Sequence, residues 1–182
     1  MKMIDEVNGL GIVELMKFED LRGELLKTQT DSYIENTQFS NFVAKETWFT
    51  FSNINVIRAM HFQMGEFPSK KIISPIKGKF LDAILDLRPE SATFLKTFSI
   101  VLEAESPKTL FIPQGCAHGY RVLADNSIML YQADEVHSQK DDIGILWSSF
   151  GFNWGLTEPI ISDRDKNLPP LDSYIKSLSL GN

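Results

Sequence analysis

The sequence predicts an all-β protein, built as a double-sheet jelly roll or small barrel with short peripheral helices. Short apolar runs rich in Val, Ile, Phe and Thr recur along the chain, and such runs favour strands. Turn-forming segments such as Lys77-Gly78-Lys79 and Pro113-Gln114-Gly115 separate the runs. Long helical periodicity is absent between residues 40 and 135. About nine short strands in this rhythm are typical of a closed or double-sheet β architecture.

The predicted elements follow one another in chain order. A first strand precedes residues 21–33, for which the pattern allows either a helix or irregular chain. The remaining strands fill the middle of the sequence, and a loop at 160–170 and a short helix at 171–180 follow them. The predicted strands are residues 11–16, 43–51, 55–63, 71–76, 80–87, 97–102, 109–112, 119–123 and 127–133.

Composition predicts one domain spanning residues 1–182, because 43% of the residues are hydrophobic and no linker rich in Pro, Gly or Ser divides them. The formal net charge is −6 and no run of Lys and Arg is present, which argues against a nucleic-acid-binding protein. Cys116 is the one cysteine, so a disulfide within the chain is excluded and a reducing compartment is expected. The first residues include acids and lack a long apolar run. We therefore expect no signal peptide, no membrane span and a cytoplasmic location.

Two histidines, His61 and His118, have neighbours that suggest a binding pocket. Strand side chains alternate between faces, so Ile57, His61 and Gln63 are expected on one face and Arg58 on the other. His118 lies between glycines, which allow the backbone to turn sharply and to approach a ligand. Taken singly, each histidine is more typical of an ordinary hydrogen-bonded side chain than of a reactive group.

Together, the two histidine segments resemble the two motifs of cupin barrels. Metal-binding cupins carry His-x-His, a glutamate and a second-motif histidine, whereas this chain has His61-Phe62-Gln63, Lys71 and His118. A lysine ammonium repels a divalent cation, and two imidazoles alone rarely hold one. We therefore predict no bound metal, and a metal-dependent cupin oxygenase is the least favoured class of activity.

Six segments occur in a fixed order between about residues 18 and 171. They are Phe18-x-Asp20-x-Arg22-Gly23, Arg58-Ala59-Met60-His61-Phe62-Gln63, Asp86-Leu87-Arg88-x-x-Ser91-x-Thr93-Phe94, Ile112-Pro113-x-Gly115-x-Ala117-His118-Gly119, Tyr131 and Ser162-Asp163-Arg164-Asp165. In this order they resemble dTDP-4-dehydrorhamnose 3,5-epimerase and its relatives. The resemblance implies a cupin-like jelly-roll homodimer that epimerises the carbons flanking the C4 ketone of a nucleotide-diphosphate sugar, without a cofactor.

The resemblance assigns four residues to the reaction. His61 matches the family's base, Asp165 the carboxylate that orients it, Lys71 a lysine near the sugar oxygen, and Tyr131 the tyrosine that returns a proton on the opposite face. These residue types suit the chemistry, because a proton next to a ketone is weakly acidic and the enolate that forms needs stabilisation. From the residues alone, Asp165 could instead cap a turn, Lys71 could lie on the surface and Tyr131 could cap the core.

For substrate binding, the resemblance points to Arg22 and Arg58 as contacts of the nucleotide diphosphate, a role that suits a planar bidentate donor. Either arginine could instead form a structural ion pair. Arg88 is expected to be a structural turn residue. The other expected substrate-binding residues are Gln63, His118, Glu46 and His137.

The chain departs from the family pattern around the substrate and not at the base. Leu25 and Lys27 replace a common aromatic residue and a glutamate, Glu46 and Trp48 alter a pocket usually lined with amides, and His137 falls where an aromatic residue is usual. A dTDP-linked 4-keto-6-deoxyhexose is the leading substrate, with another nucleotide or a longer sugar as the alternative. The alternative functions are a 3-epimerase, a 3,4-ketoisomerase and a non-catalytic sugar-nucleotide-binding barrel.

Overall fold

The structure, a computed structural model, describes residues 1–180, without the side chain of Leu180. A six-stranded and a five-stranded sheet are accompanied by a two-stranded hairpin, and every strand pairing is antiparallel. This confirms the predicted all-β jelly roll. The elements are β1 (Lys2–Ile4), β2 (Leu10–Glu14), β3 (Met16–Asp20), β4 (Gly23–Lys27), α1 (Asp31–Ile34), β5 (Glu46–Ser52), β6 (Ile57–Gln63), β7 (Lys71–Lys77), β8 (Lys79–Asp86), β9 (Thr97–Glu103), β10 (Lys108–Ile112), β11 (Cys116–Val122), β12 (Ser127–Ala133), β13 (Asp142–Gly144), α2 (Asp163–Lys166) and α3 (Leu171–Leu180).

The two large sheets enclose the main core and the pocket. The first has the strand order β1-β2-β10-β7-β12-β5 and the second has the order β13-β6-β11-β8-β9. Ile73, Leu110 and Met129 of the first sheet pack with Phe80 and Tyr120 of the second. Alternating burial along β12 shows why the sequence forms these strands, since every second side chain faces the core. Burying each large apolar side chain stabilises the fold by about 1.5–3 kcal/mol.

A second cluster covers the outer face of the five-stranded sheet. Ile57 and Phe62 pack there with Trp154, and Tyr174 of α3 contacts the Phe62 ring edge to face at 5.7 Å. None of the helices in the described part of the chain is long and apolar enough to cross a membrane.

The predicted strands are all present, with ends that differ by a few residues. Four strands were missed: β1 and β13, whose three residues are too few for a period-two pattern, and β3 and β4, which form the hairpin. β4 lies in residues 21–33, where a helix or irregular chain was expected, because Gly23 adopts φ +119° and closes a tight hairpin with β3. The loop predicted at 160–170 contains the one-turn helix α2.

The prediction that Arg58 and His61 lie on opposite faces of their strand is wrong. In the pairing of β11 with β6, His118 lies opposite His61 while Tyr120 lies opposite Arg58, so three steps along β6 match two along β11. The extra residue is a β-bulge, and a bulge reverses the alternation of the side chains that precede it. Arg58 therefore lines the pocket beside His61, while Ile57, expected on the His61 face, packs into the outer cluster.

Candidate active site

A pocket of about 420 Å³ opens between the two sheets, within the size range of small-molecule sites. Every predicted site residue except Arg22 lines it. The lining residues that were not predicted to bind substrate or to take part in the reaction are Thr50, Ser69, Ala133, Glu135, Asp142, Ser162 and Arg164, of which Ser162 and Arg164 belong to the last of the six sequence segments. The pocket thus brings together groups from both sheets and from the loop after β12.

His61 and Asp165 form a dyad on one side of the pocket. The Nε2 atom of His61 lies 2.8 Å from Oδ1 of Asp165, and the imidazole is 25% exposed while the carboxylate is nearly buried. Burial alone would raise the pKa of Asp165, but the hydrogen bond and charge of His61 and the backbone N–H of Ala59 outweigh it and lower that pKa. An ionised carboxylate orients the imidazole and stabilises the imidazolium that forms when His61 takes a proton.

The position of Asp165 is set by the start of α2. Ser162 is the N-cap of this helix, and its hydroxyl oxygen accepts a hydrogen bond from the backbone N–H of Asp165 at 3.1 Å. The chain before α2 is joined to β6 where Ile57 N–H donates to the Ile160 carbonyl at 3.0 Å. The helix therefore carries Asp165 to the same strand that carries His61.

Lys71 lies at the start of β7, and its charged side chain is partly buried. Burial lowers the pKa of Lys71 from 10.5 to about 8, with the Asp142 charge opposing this shift and Arg164 adding to it. A lysine in this state is still mostly cationic at neutral pH. It can therefore stabilise negative charge that develops on a substrate oxygen.

Tyr131 lies on β12, between β7 and the edge strand β5 of the six-stranded sheet, and is 7% exposed. Its ring stacks on the indole of Trp48 with centroids 5.0 Å apart, and its centroid lies 5.8 Å from that of His118. Burial raises the pKa of Tyr131 well above 10, Tyr120 and Asp82 add to the shift, and Arg58 opposes it. The phenol therefore stays protonated at neutral pH, as a proton donor must.

His118 is held by a second buried carboxylate, that of Asp82. The Nε2 atom of His118 lies 2.9 Å from Oδ2 of Asp82. Burial raises the pKa of Asp82, and His118 opposes that shift. Asp82 was not singled out from the sequence, although an aspartate between the apolar residues Leu81 and Ala83 of β8 was a usable signal, because a buried carboxylate needs a partner.

The pocket mouth is formed by a chain of charged contacts around His137. The backbone N–H of His137 donates to Glu46 at 2.7 Å, its Nε2 lies 3.1 Å from the Asp142 carboxylate, and Arg164 donates to the same carboxylate at 2.7 Å. Asp142 and Arg164 were not predicted as site residues. In the sequence, Asp142 is one of several adjacent charged residues. Such a group usually lies on the solvent-exposed surface, so it did not indicate a site.

Gln63 lines the pocket, but its side-chain amide forms hydrogen bonds with backbone groups. Its NH₂ group donates to the carbonyls of Phe67 at 2.6 Å and Val136 at 3.0 Å, and its oxygen accepts from the N–H of Ser138 at 2.9 Å. Gln63 therefore fixes the loop that carries His137.

Arg22 lies outside the pocket, at the turn between β3 and β4. Its guanidinium is 90% exposed and bonds the nearby carboxylate of Asp20. Arg88, predicted to be structural, donates to Asp86 at 2.8 Å and to the Asn8 carbonyl at 2.6 Å. It joins two segments away from the pocket.

Within the described residues, no group of three or more His, Cys, Asp or Glu side chains is arranged to hold a metal ion. Both pocket histidines on β6 and β11 instead bond single carboxylates.

Comparison with known proteins gives this site a family. The family model for dTDP-4-dehydrorhamnose 3,5-epimerase matches residues 5–173. The chain belongs to this family. Among its relatives in the dTDP-4-dehydrorhamnose 3,5-epimerase family, the enzyme of Escherichia coli strain K12 is 30% identical over 174 residues, covering 94% of each chain. The enzyme of Methanothermobacter thermautotrophicus is 33% identical over 171 residues, covering 91% of each.

Solved structures of family members share the fold. The dTDP-4-dehydrorhamnose 3,5-epimerase of Bacillus anthracis, with TDP and PPi bound, is 30% identical with a TM-score of 0.85, covering 93% of this chain and 97% of its own. The enzyme from Sulfolobus tokodaii is 32% identical with a TM-score of 0.83, covering 91% of this chain and 92% of its own.

Proposed function

We propose that this protein epimerises a dTDP-4-keto-6-deoxyhexose at C3 and then C5, in deoxysugar biosynthesis and without a cofactor. The observation that carries the proposal is the placement of His61 and Tyr131. His61 projects from the five-stranded sheet and Tyr131 from the six-stranded sheet, and both line one pocket. A sugar ring held between the sheets would have a base on one face and an acid on the other. Family membership supports the same reaction.

The proposed reaction proceeds in two proton transfers. His61 takes the proton from the carbon next to the ketone, the C–H electron pair moves into the enolate, and the imidazolium is stabilised by Asp165. Lys71 stabilises the enolate oxygen. Tyr131 then gives its proton to the carbon from the opposite face, which inverts the centre.

The cationic side chain of Arg58 at the pocket is suited to bind the nucleotide diphosphate. Arg58 is partly held by Ser52, whose hydroxyl oxygen accepts from its Nε at 3.2 Å, and it remains solvent-exposed. Arginine donors of this kind bind phosphate oxygens well. The Bacillus anthracis relative was solved with TDP and PPi bound, which supports a thymidine nucleotide here. A contact from Arg22 to the diphosphate stays a prediction, as does a cytoplasmic location.

The test is proton–deuterium exchange by NMR with dTDP-4-keto-6-deoxyglucose in heavy water. Loss of both the C3 and C5 proton signals is expected with wild-type protein, and His61→Asn should abolish both. Loss at C3 alone would restrict the function to a 3-epimerase or a 3,4-ketoisomerase, and the product spectrum separates these because the ketoisomerase moves the ketone. Tight binding with no exchange over hours would overturn the proposal in favour of a binding barrel.

A homodimer is part of the proposal. The β3–β4 hairpin exposes the paired residues Phe18 and Leu25 on one face, and an isolated two-stranded hairpin is marginally stable in water. A second copy of the chain covering this hairpin would explain its apolar side chains. Light scattering should give twice the 20.7 kDa chain mass, and Phe18→Asp with Leu25→Asp should lower it. A wild-type mass of one chain would refute the dimer.

A further inference from the structure

Among the residues that differ from the family pattern, Trp48 lies nearest to Tyr131, the proposed proton donor. It is directly opposite Tyr131 in the pairing of β5 with β12. The two rings are nearly parallel, at 7°, with centroids 5.0 Å apart. The indole also lines the pocket, so it borders both the tyrosine and the space where a ligand would bind.

The surroundings of Tyr131 leave its ring little freedom. The stacked indole limits tilting of the phenol, and the imidazole of His118, fixed by Asp82 at 2.9 Å, lies 5.8 Å from the same ring. A proton donor must be held within hydrogen-bonding reach of one carbon, and small displacements of a catalytic group cost large factors in rate. The indole also reduces the access of water to the phenol.

We infer that Trp48 is a positioning residue that fixes the Tyr131 phenol for proton delivery and so determines how often proton removal leads to inversion. This inference rests on the proposed function, in which His61 removes the proton and Tyr131 returns one. With Trp48 in place, the enolate takes its proton from the Tyr131 hydroxyl on the far face. Without it, the His61 imidazolium, after exchanging its proton with heavy water, returns a deuteron to the original face.

The two fates of the enolate give different products in heavy water. Inversion yields the epimer with deuterium at the inverted carbon, whereas return from His61 yields unreacted sugar that has lost its C3 proton signal. The ratio of these species by NMR reports on Tyr131 geometry separately from the rate of proton removal. A change of overall stability alone would not move this ratio.

The experiment compares Trp48→Ala, Trp48→Leu and Trp48→Phe with a control, Phe49→Ala. Phe49 is the next residue on β5, is 51% exposed and lies on the opposite face of the strand. In Trp48→Ala and Trp48→Leu, the ratio of inversion to exchange should fall about tenfold to a hundredfold while C3 exchange continues. Trp48→Phe, which keeps a ring for stacking, should restore most of the ratio, and Phe49→Ala should match wild type.

Two results would overturn the inference while leaving the proposed function intact. One is a wild-type ratio in folded Trp48→Leu. The other is a parallel loss of exchange and inversion, which would make Trp48 a binding residue. The Leu variant keeps an apolar side chain at this position, so it tests the inference even where the Ala variant does not fold. Absence of C3 exchange in the wild-type protein would overturn the proposed function and this inference with it.

Discussion

Replacing Lys71 with methionine should stabilise the protein and inactivate it. The pKa of Lys71 falls from 10.5 to about 8 because burial disfavours the ammonium. A shift of this size corresponds to a cost of at most about 3.5 kcal/mol at neutral pH, at roughly 1.4 kcal/mol per pKa unit. Methionine has a similar length without the charge. Lys71→Met should therefore gain up to that amount in the free energy of unfolding, with a melting temperature higher by about 2–4 °C per kcal/mol.

The same substitution removes the charge proposed to stabilise the enolate. Loss of one such electrostatic contact typically lowers the rate about 10²–10³-fold. Exchange at C3 should fall by that factor while stability rises, a combination that a purely structural lysine would not give. Lys77→Met is the matched control, because Lys77 is an exposed residue of the same strand.

The pH dependence of stability gives an independent check that the charge on Lys71 destabilises the folded protein. The folded-state pKa of Lys71, about 8, is below the unfolded value of 10.5, so the unfolded chain binds more protons between these pH values. Wild-type stability should therefore gain a favourable contribution from Lys71 as pH rises through this window, and Lys71→Met should lack that contribution. Catalytic rate should fall above about pH 8, because Lys71 loses its charge.

Urea unfolding and NMR exchange at several pH values measure both effects. The reasoning would be refuted by a Lys71→Met variant that is destabilised like an ordinary core deletion. It would also be refuted by wild-type activity that stays flat well above pH 8.

Three further predictions concern the dyad, a close contact and the cysteine. Asp165→Asn should slow C3 exchange about 10²–10⁴-fold, with exposed Asp163→Asn as the control, and equal rates in the two variants would contradict the dyad. Gly119→Ala should cost about 1–3 kcal/mol in thermal unfolding, because the new methyl would lie 2.8 Å from the Ala59 Cα, and an unchanged melting temperature would count against this packing. Cys116 should resist iodoacetamide at pH 8 in the native protein and react in urea, since burial raises its pKa to about 12, and rapid native alkylation would show that it is accessible.

The strands could be predicted from the sequence because their signals are local. Alternating apolar residues and turn residues such as Gly78 and Gly115 depend only on neighbouring positions. The motif order gave the family and the dyad of His61 and Asp165 by resemblance. Three-residue strands such as β13 were missed because they carry too few residues to show a period.

Contacts that join distant segments were decided by the tertiary structure. The bulge that turns Arg58 toward the pocket depends on the register between β6 and β11. The residues of β6 alone do not predict this bulge. The partnership of Asp82 with His118 depends on the pairing of β8 with β11.

What the sequence determined by itself is nine of the thirteen strands, β2 and β5 to β12, and the identity of the reactive side chains. What only the tertiary structure decided is the environment of those side chains. The pKa of Lys71 depends on burial and on the charges of Asp142 and Arg164, which lie far along the chain. The stack of Trp48 on Tyr131 exists because β5 pairs with β12 in one register, and a slip of one residue would place the two rings on opposite faces of the sheet.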